Sequence, residues 1–337
     1  MSKHESKEAL PFDSKPTIEP SQSQPIIINH DGSVRRFKQI PNTEPTQDPN
    51  NIVLSKDVPL NLINKTLIRL FLPRTALQSS KKLPLIVYFH AGGFILFNVS
   101  STFNHDFCFK LAEKVNAVVA SVDYRLAPES RLPAAYEDAI EALNWLRTTN
   151  EEWVNQFCDM SNCYLMGSSS GGNIAYQTGL HCATTTTDES NSNQLKIRGL
   201  ILHHPFFGGS QRTNSELKFE NDRVLPLKAT DLMWEYALPE GVGRDHKFCN
   251  PTFMDKEDDK CLDEIKQLKW RILLTVCDGD PLIDRQVEFM EILRSKRVNI
   301  VKYLREGFHG MELLDPNKDE PLFKQINIFI FQQRNII

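Results

Sequence analysis

Four short stretches of the chain carry residue types that chemistry needs. MGSSSGGN, Met166 to Asn173, has the form G-x-S-x-G through Gly167, Ser169 and Gly171, and it stands between a run of strand formers and a helical run. On so sharp a turn a serine is held strained and exposed, while small flanking residues let neighbouring backbone pack closely. The helix that follows aims N–H groups and partial positive charge at the reacting centre. Such a serine needs an acid and a base later in the chain. RILLTVCD runs into DGDPLIDR, which places Asp278, Asp280 and Asp284 at or just past a strand end, and NIVKYLREG runs into FHGM, which places His309 just past the next strand. Loops at the carboxyl ends of parallel strands gather on one rim, so these groups are expected to meet. The fourth stretch is YFHAGGF, Tyr88 to Phe94. Gly92 and Gly93 present amide N–H groups with no side chain in the way, and Ser170, after the serine, supplies a third. Donors fixed in this way are commonly worth about 3 kcal/mol each to an oxyanion in the transition state. His90 is read as holding the loop in shape through its ring nitrogens, not as a base.

Positioning such groups calls for a sheet. From about residue 66 the chain alternates. TLIRLFLP, LPLIVYF, AVVASVDY, CYLMGSS, IRGLILHHPF, RILLTVCD and NIVKYLREG read as strands. Between them, Asn104 to Asn116, LPAAYEDAIEALNWLRTT, GGNIAYQTGLHCA, LIDRQVEFMEILRSKR and the terminal PLFKQINIFIFQQ read as helices. The pattern predicts an α/β fold with a mostly parallel central sheet and helices on both faces. Residues 1 to about 50 are rich in Pro, Ser, Gln and Asn and read as an N-terminal arm, with a hairpin at Asp31-Gly32. Residues 51–209 and 269–337 form the core, and 210–268, without a clear strand, is an insertion over the strand ends. Thr184 to Gln194 reads as a solvated loop, and Lys256 to Lys260 (KEDDK) as a solvated charge run.

Composition narrows the function. The 337 residues are 40% hydrophobic and 24% charged with a formal net charge of −4, which speaks against nucleic acid or an anionic membrane as partner. The N-terminus lacks the apolar core of a secretory signal, and no apolar run approaches a membrane span. Seven scattered cysteines with no C-x-x-C pair read as reduced thiols of a cytoplasmic protein. The sequons at Asn64 and Asn98 are then chance matches. His203-His204 is set aside as a metal pair, since neighbours at a strand end face opposite ways and no carboxylate has suitable spacing.

HAGGF, DYRLAPESRLPAAYEDA, GSSSGGN, GDPLIDR and GFHG together resemble the plant carboxylesterases of the hormone-sensitive-lipase branch of the α/β-hydrolase superfamily. The likeness runs from about Pro25 onward and includes DGSVRRF and PFFGG. It implies an α/β-hydrolase fold with Ser169 as nucleophile, Asp280 as acid and His309 as base. Gly92, Gly93 and Ser170 then form the oxyanion hole, and the arm and insertion form a cap. It further implies hydrolysis of short-acyl esters of small or aromatic alcohols, plant specialised metabolites included, with no cofactor and no metal. The substrate is a small-molecule ester, and the oligomeric state, monomer or dimer, is open. Ala91 replaces the first glycine of the usual HGGG loop, and Ser168 and Ser170 replace Asp and Ala of the usual elbow. If position 91 requires positive φ, alanine costs roughly 1 kcal/mol there. Two other outcomes share the scaffold: a binding protein like the gibberellin receptors, which lack the histidine, and a lyase or cyclase of alkaloid metabolism. Retention of His309 speaks for the enzyme.

Overall fold

The computed structural model describes residues 26–29, 31, 33–36, 40–185, 195–315 and 317–331, and the chain divides into units 1–38 and 39–337. In the first unit β1 (Ile26–Ile28) and β2 (Val34–Arg36) pair antiparallel, with Ile26 opposite Arg36. Asp31 shapes their turn as an Asx residue does: its Oδ1 accepts the Ser33 N–H at 2.9 Å and the Ser33 hydroxyl at 2.6 Å. Gly32 lies outside the described residues.

The second unit is built on eight strands. They are β3 (Val53–Asn61), β4 (Thr66–Pro73), β5 (Leu83–Phe89), β6 (Val118–Asp123), β7 (Cys158–Ser168), β8 (Ile197–His203), β9 (Arg271–Cys277) and β10 (Asn299–Arg305). Their order across the sheet is β10-β9-β8-β7-β5-β6-β4-β3, and β4 alone runs against the rest. The connections after β5 and β7 leave in opposite directions, so the crevice that ligands use in such sheets opens between those two strand ends.

The helices are α1 (Thr102–Val115), α2 (Ala134–Thr148), α3 (Glu152–Phe157), α4 (Ser170–Thr185), α5 (Asn214–Lys218), α6 (Leu227–Ala237), α7 (Lys256–Gln267), α8 (Ile283–Ser295), α9 (Met311–Leu314) and α10 (Glu320–Phe331). Every residue of β5 is buried, as its unbroken apolar run requires of a strand covered on both faces. On one face Phe107 and Leu111 of α1 and Phe323 and Ile326 of α10 pack against Ile86, Tyr88, Tyr164, Met166 and Ile201. On the other, α4 lies over Leu200, and its Tyr176 meets Phe289 of α8 edge-on at 4.8 Å. Each such side chain contributes about 1.5–3 kcal/mol by leaving water. Among the described residues no helix is long and apolar enough to cross a membrane.

Several local expectations are corrected. β3 was not expected: Lys56, Asp57 and Pro59 interrupt its apolar pattern, and it forms because it is an edge strand with one open side, where charge and proline are tolerated. Thr184 and Thr185 belong to α4, with both hydroxyls donating to the His181 carbonyl, and 186–194 lie outside the described residues. KEDDK is the start of α7: Lys256, Glu257 and Lys260 are exposed as expected, but Asp258 is buried and closes a capping box with Asp255.

Residues 210–268 hold α5, α6 and α7 and no strand among the described residues. Trp234 of α6 stacks on Phe206 at 4.8 Å and tilts over Phe94 at 5.4 Å, so α6 lies against the loops that follow β5 and β8.

Candidate active site

β7 ends in the G-x-S-x-G turn, and Ser169 adopts φ +54°, a left-handed conformation that a side chain rarely takes. Hydrogen bonds hold it there. Its N–H donates to the His203 carbonyl at 2.9 Å, and its carbonyl accepts from Gly172 at 2.9 Å and Phe206 at 2.9 Å. Glycine is needed at 171 because a Cβ there would overlap the Phe89 carbonyl oxygen at the end of β5. The serine is thus pressed between two strand ends with α4 starting directly behind it.

His309 follows β10 and reaches Ser169, with Nε2 2.9 Å from Oγ. Its Nδ1 lies 2.9 Å from Asp280 Oδ2, past the end of β9. Three groups far apart in the chain therefore form one hydrogen-bonded line, with all three residues buried. Asp280 also accepts from the Leu282 N–H at 2.8 Å and from Gln286 Nε2 at 3.1 Å. Burial alone would raise its pKa, but the charge and hydrogen bond of His309 outweigh it and hold the carboxyl below its ordinary 3.8. The ionised carboxylate can only accept, so His309 carries its proton on Nδ1, and Nε2 is left to accept from the serine hydroxyl. The other two aspartates serve elsewhere: Asp278 accepts from Gly307 N–H at 3.1 Å and Asp284 from Ser215 N–H at 2.8 Å.

The loop after β5 turns with Gly92 at φ +145° and Gly93 at φ +61°. The Gly92 carbonyl accepts from Ile95 and Leu96, and the amides of Gly92, Gly93 and Ser170 have no hydrogen-bond partner among the described residues. A Cβ on Gly93 would overlap Met233 Sδ of α6. Ala91 does not take positive φ, so it carries none of the strain weighed for it. Ser168 Oγ accepts from the Tyr88 hydroxyl at 2.9 Å inside the core.

His90 is fully buried. Its Nδ1–H donates to the Ala91 carbonyl at 2.9 Å, and its ring stacks on Tyr124 at 4.2 Å, whose hydroxyl donates back to the His90 carbonyl. Only one ring nitrogen is hydrogen-bonded among the described residues: Nε2 has no hydrogen-bond partner and faces Asp123 Oδ1 at 4.0 Å. Burial lowers its pKa from 6.5 to about 4, so it is neutral at pH 7. Between those values the unfolded chain binds a proton that the folded chain refuses. The stability this burial gives is complete above pH 6.5 and is lost as pH falls toward 4. Replacing His90 with glutamine should remove about 2 kcal/mol of the stability lost between pH 7 and 5. Urea midpoints at the two pH values check this, and equal losses in both proteins would refute it.

The structure corrects the reading of His203-His204. Their rings lie side by side at 4.1 Å, because His204 stands one residue past β8 at φ +45°, where strand alternation no longer holds. A carboxylate partner exists as well: Glu312 Oε2 is 3.5 Å from His203 Nε2 and 4.0 Å from His204 Nε2. It comes from α9, which follows the His309 turn and gave no motif. Gln286 was likewise missed, its signal being only its place on α8.

The sheet order, the elbow and the Ser-His-Asp line define an α/β-hydrolase with a serine centre. The chain belongs to the alpha/beta hydrolase fold family, whose model matches residues 86–313. It is 45% identical to Carboxylesterase 20 of Arabidopsis thaliana over 94% of this chain and 98% of that one. It is 46% identical to a 3-O-acetylpapaveroxine carboxylesterase of Papaver somniferum, over 82% of this chain and 90% of the relative. Among solved structures, an esterase of Pyrobaculum calidifontis superposes with a TM-score of 0.67 at 25% identity, covering 85% of each chain. The protein is a plant-type carboxylesterase, a serine hydrolase of carboxylic esters.

Proposed function

We propose that Ser169 Oγ attacks the ester carbonyl while His309 Nε2 takes its proton. Asp280 holds the Nδ1–H tautomer and stabilises the imidazolium. The oxyanion lies against the amides of Gly92, Gly93 and Ser170, and His90 keeps their loop in shape. The alcohol leaves with the proton from His309, and water then repeats the sequence on the acyl-enzyme, with no cofactor. The observation that carries this reading is the pair of 2.9 Å contacts from His309 to Ser169 and Asp280. A serine-directed phosphonate should label Ser169, and labelling of another residue refutes the assignment.

The substrates are short-acyl esters of small or aromatic alcohols, plant specialised metabolites among them. In support, Papaver somniferum relatives are carboxylesterases of 3-O-acetylpapaveroxine, an O-acetyl compound. Residues 210–268 act as a cap, a reading supported by Met233 and Trp234 standing against Gly93 and Phe94. A reducing compartment, the cytoplasm, suits seven buried cysteines, none of them joined in a disulfide. A series of p-nitrophenyl esters from acetate to octanoate tests acyl length: turnover should be greatest for the short chains, and a maximum at octanoate overturns it. With an acetylated alkaloid the product should be the free alcohol. Loss of acetate with a new double bond would instead mark a lyase.

Gly93→Ala should lower kcat about 10²-fold, the size of one lost oxyanion donor. The added methyl meets Met233, so Met233→Ala in the same chain should restore part of the loss. No recovery in the double variant, measured with p-nitrophenyl acetate, would mean that α6 does not press on this loop.

A further inference from the structure

The segment His203–Phe206 has no part in the mechanism above, yet it is linked to every reacting residue, to Ser169 directly and to Asp280 and His309 through one neighbour each. Its backbone brackets the serine, accepting from Ser169 N–H at the His203 carbonyl and donating from Phe206 N–H to the Ser169 carbonyl, both at 2.9 Å. The Pro205 carbonyl accepts at 3.3 Å from Gln286 Nε2, the same amide that donates to Asp280 Oδ2. His204 Nδ1 accepts at 3.0 Å from the N–H of Gly310, the residue after His309. A buried histidine at φ +45° is an expensive choice for a position with no task.

The hydrogen bonds decide its tautomer. An amide N–H only donates, so His204 Nδ1 carries no proton, and the neutral ring has it on Nε2. Burial, then the charges of neighbouring groups, keeps the ring neutral, with its pKa well below the ordinary value. Nε2 faces Cys277 Sγ at 3.3 Å and Glu312 Oε2 at 4.0 Å. Glu312 is in turn held by Arg305 at 3.0 Å and faces His203 Nε2, while His203 Nδ1 meets the Thr275 hydroxyl at 2.7 Å. His203, His204 and Glu312 lie close enough to bind a divalent cation. His204, however, has no lone pair for one, because the Gly310 amide occupies Nδ1 and a proton occupies Nε2. The arrangement suits a brace.

We propose that His204 is a positioning residue for ester hydrolysis: its Nδ1, by holding the Gly310 amide, sets the turn that aims His309 between Ser169 and Asp280. This rests on reading those three as the reacting groups. The test compares two amides at position 204, because asparagine places its Oδ1 where Nδ1 stands and glutamine reaches instead to the place of Nε2. His204→Asn should keep kcat within about threefold of the parent, and His204→Gln should lose about tenfold or more, with KM within about twofold in both. The downfield proton NMR signal of the His309–Asp280 hydrogen bond should survive in the asparagine protein and be lost or broadened in the glutamine one. Equal kcat in the two variants, or an unchanged signal in both, overturns the proposal. If the glutamine protein does not fold, His204→Leu, with no acceptor, takes its place, and a folded asparagine variant with lost kcat is by itself a refutation. Phosphonate labelling of the parent is read first. Failure to label Ser169 defeats the nucleophile assignment, whereas labelling with equal variants defeats only the brace.

Discussion

Ser169→Ala should lower kcat by 10⁵-fold or more, on the order of what removing a serine nucleophile costs elsewhere. The hydroxyl is the only atom removed, and alanine keeps the Cβ, so the φ +54° backbone is no more strained than before. The amides of Gly92, Gly93 and Ser170 remain in place, and any residual rate over water would come from them. Melting temperature should move little, since the change deletes one hydrogen bond, Ser169 to His309, whose net worth is about 1 kcal/mol. Turnover of p-nitrophenyl acetate and a melting curve on the same preparation are sufficient. A folded alanine protein keeping even one hundredth of the rate would remove the nucleophile from the mechanism.

Asp280→Asn should cost about 10⁴-fold in kcat with little change in KM. The reason is in the partners of the carboxylate. Oδ2 accepts from both His309 Nδ1 and Gln286 Nε2, and Oδ1 accepts from the Leu282 amide. An asparagine has one acceptor oxygen for three donors. With its NH₂ at the δ2 position, His309 must turn its Nδ1 into an acceptor, which moves the imidazole proton to Nε2 and blocks transfer from the serine. With the amide reversed, an NH₂ is driven against the Leu282 N–H. Proton NMR of the imidazole would show which arrangement is taken. Retention of a tenth or more of kcat would show that the carboxylate does not set the tautomer.

The elements that carry these groups are largely legible in the sequence. TLIRLFLP and LPLIVYF are strands over just those residues; LPLIVYF shows it most plainly, because a strand buried along its whole length needs an unbroken apolar run. β3 was not legible, since an edge strand tolerates Lys56, Asp57 and Pro59 and its identity rests on pairing with β4. The same division runs through the site. Ser169 could be placed because glycines on both sides of it answer a local steric demand, shown by the overlap a Cβ at Gly171 would have with Phe89. Asp278, Asp280 and Asp284 could not be separated by residue type, as all three follow one strand, and the choice depends on which side chain reaches His309.

His204, Glu312 and Gln286 were beyond reach of sequence for a related reason. His204 was read with the alternation of β8, and that rule ends one residue before it. Glu312 and Gln286 lie on helices where nothing in their spacing points to a partner. Local chemistry in the chain, the glycine turns and the apolar periods, is decided by neighbours within a few residues, and so it can be read directly. Which donor meets which acceptor across 29 residues, as for Asp280 and His309, or across 140, as for Ser169 and His309, is decided by strand order and helix packing. Those depend on the burial of the whole sheet at once, and they exist only after the chain has folded.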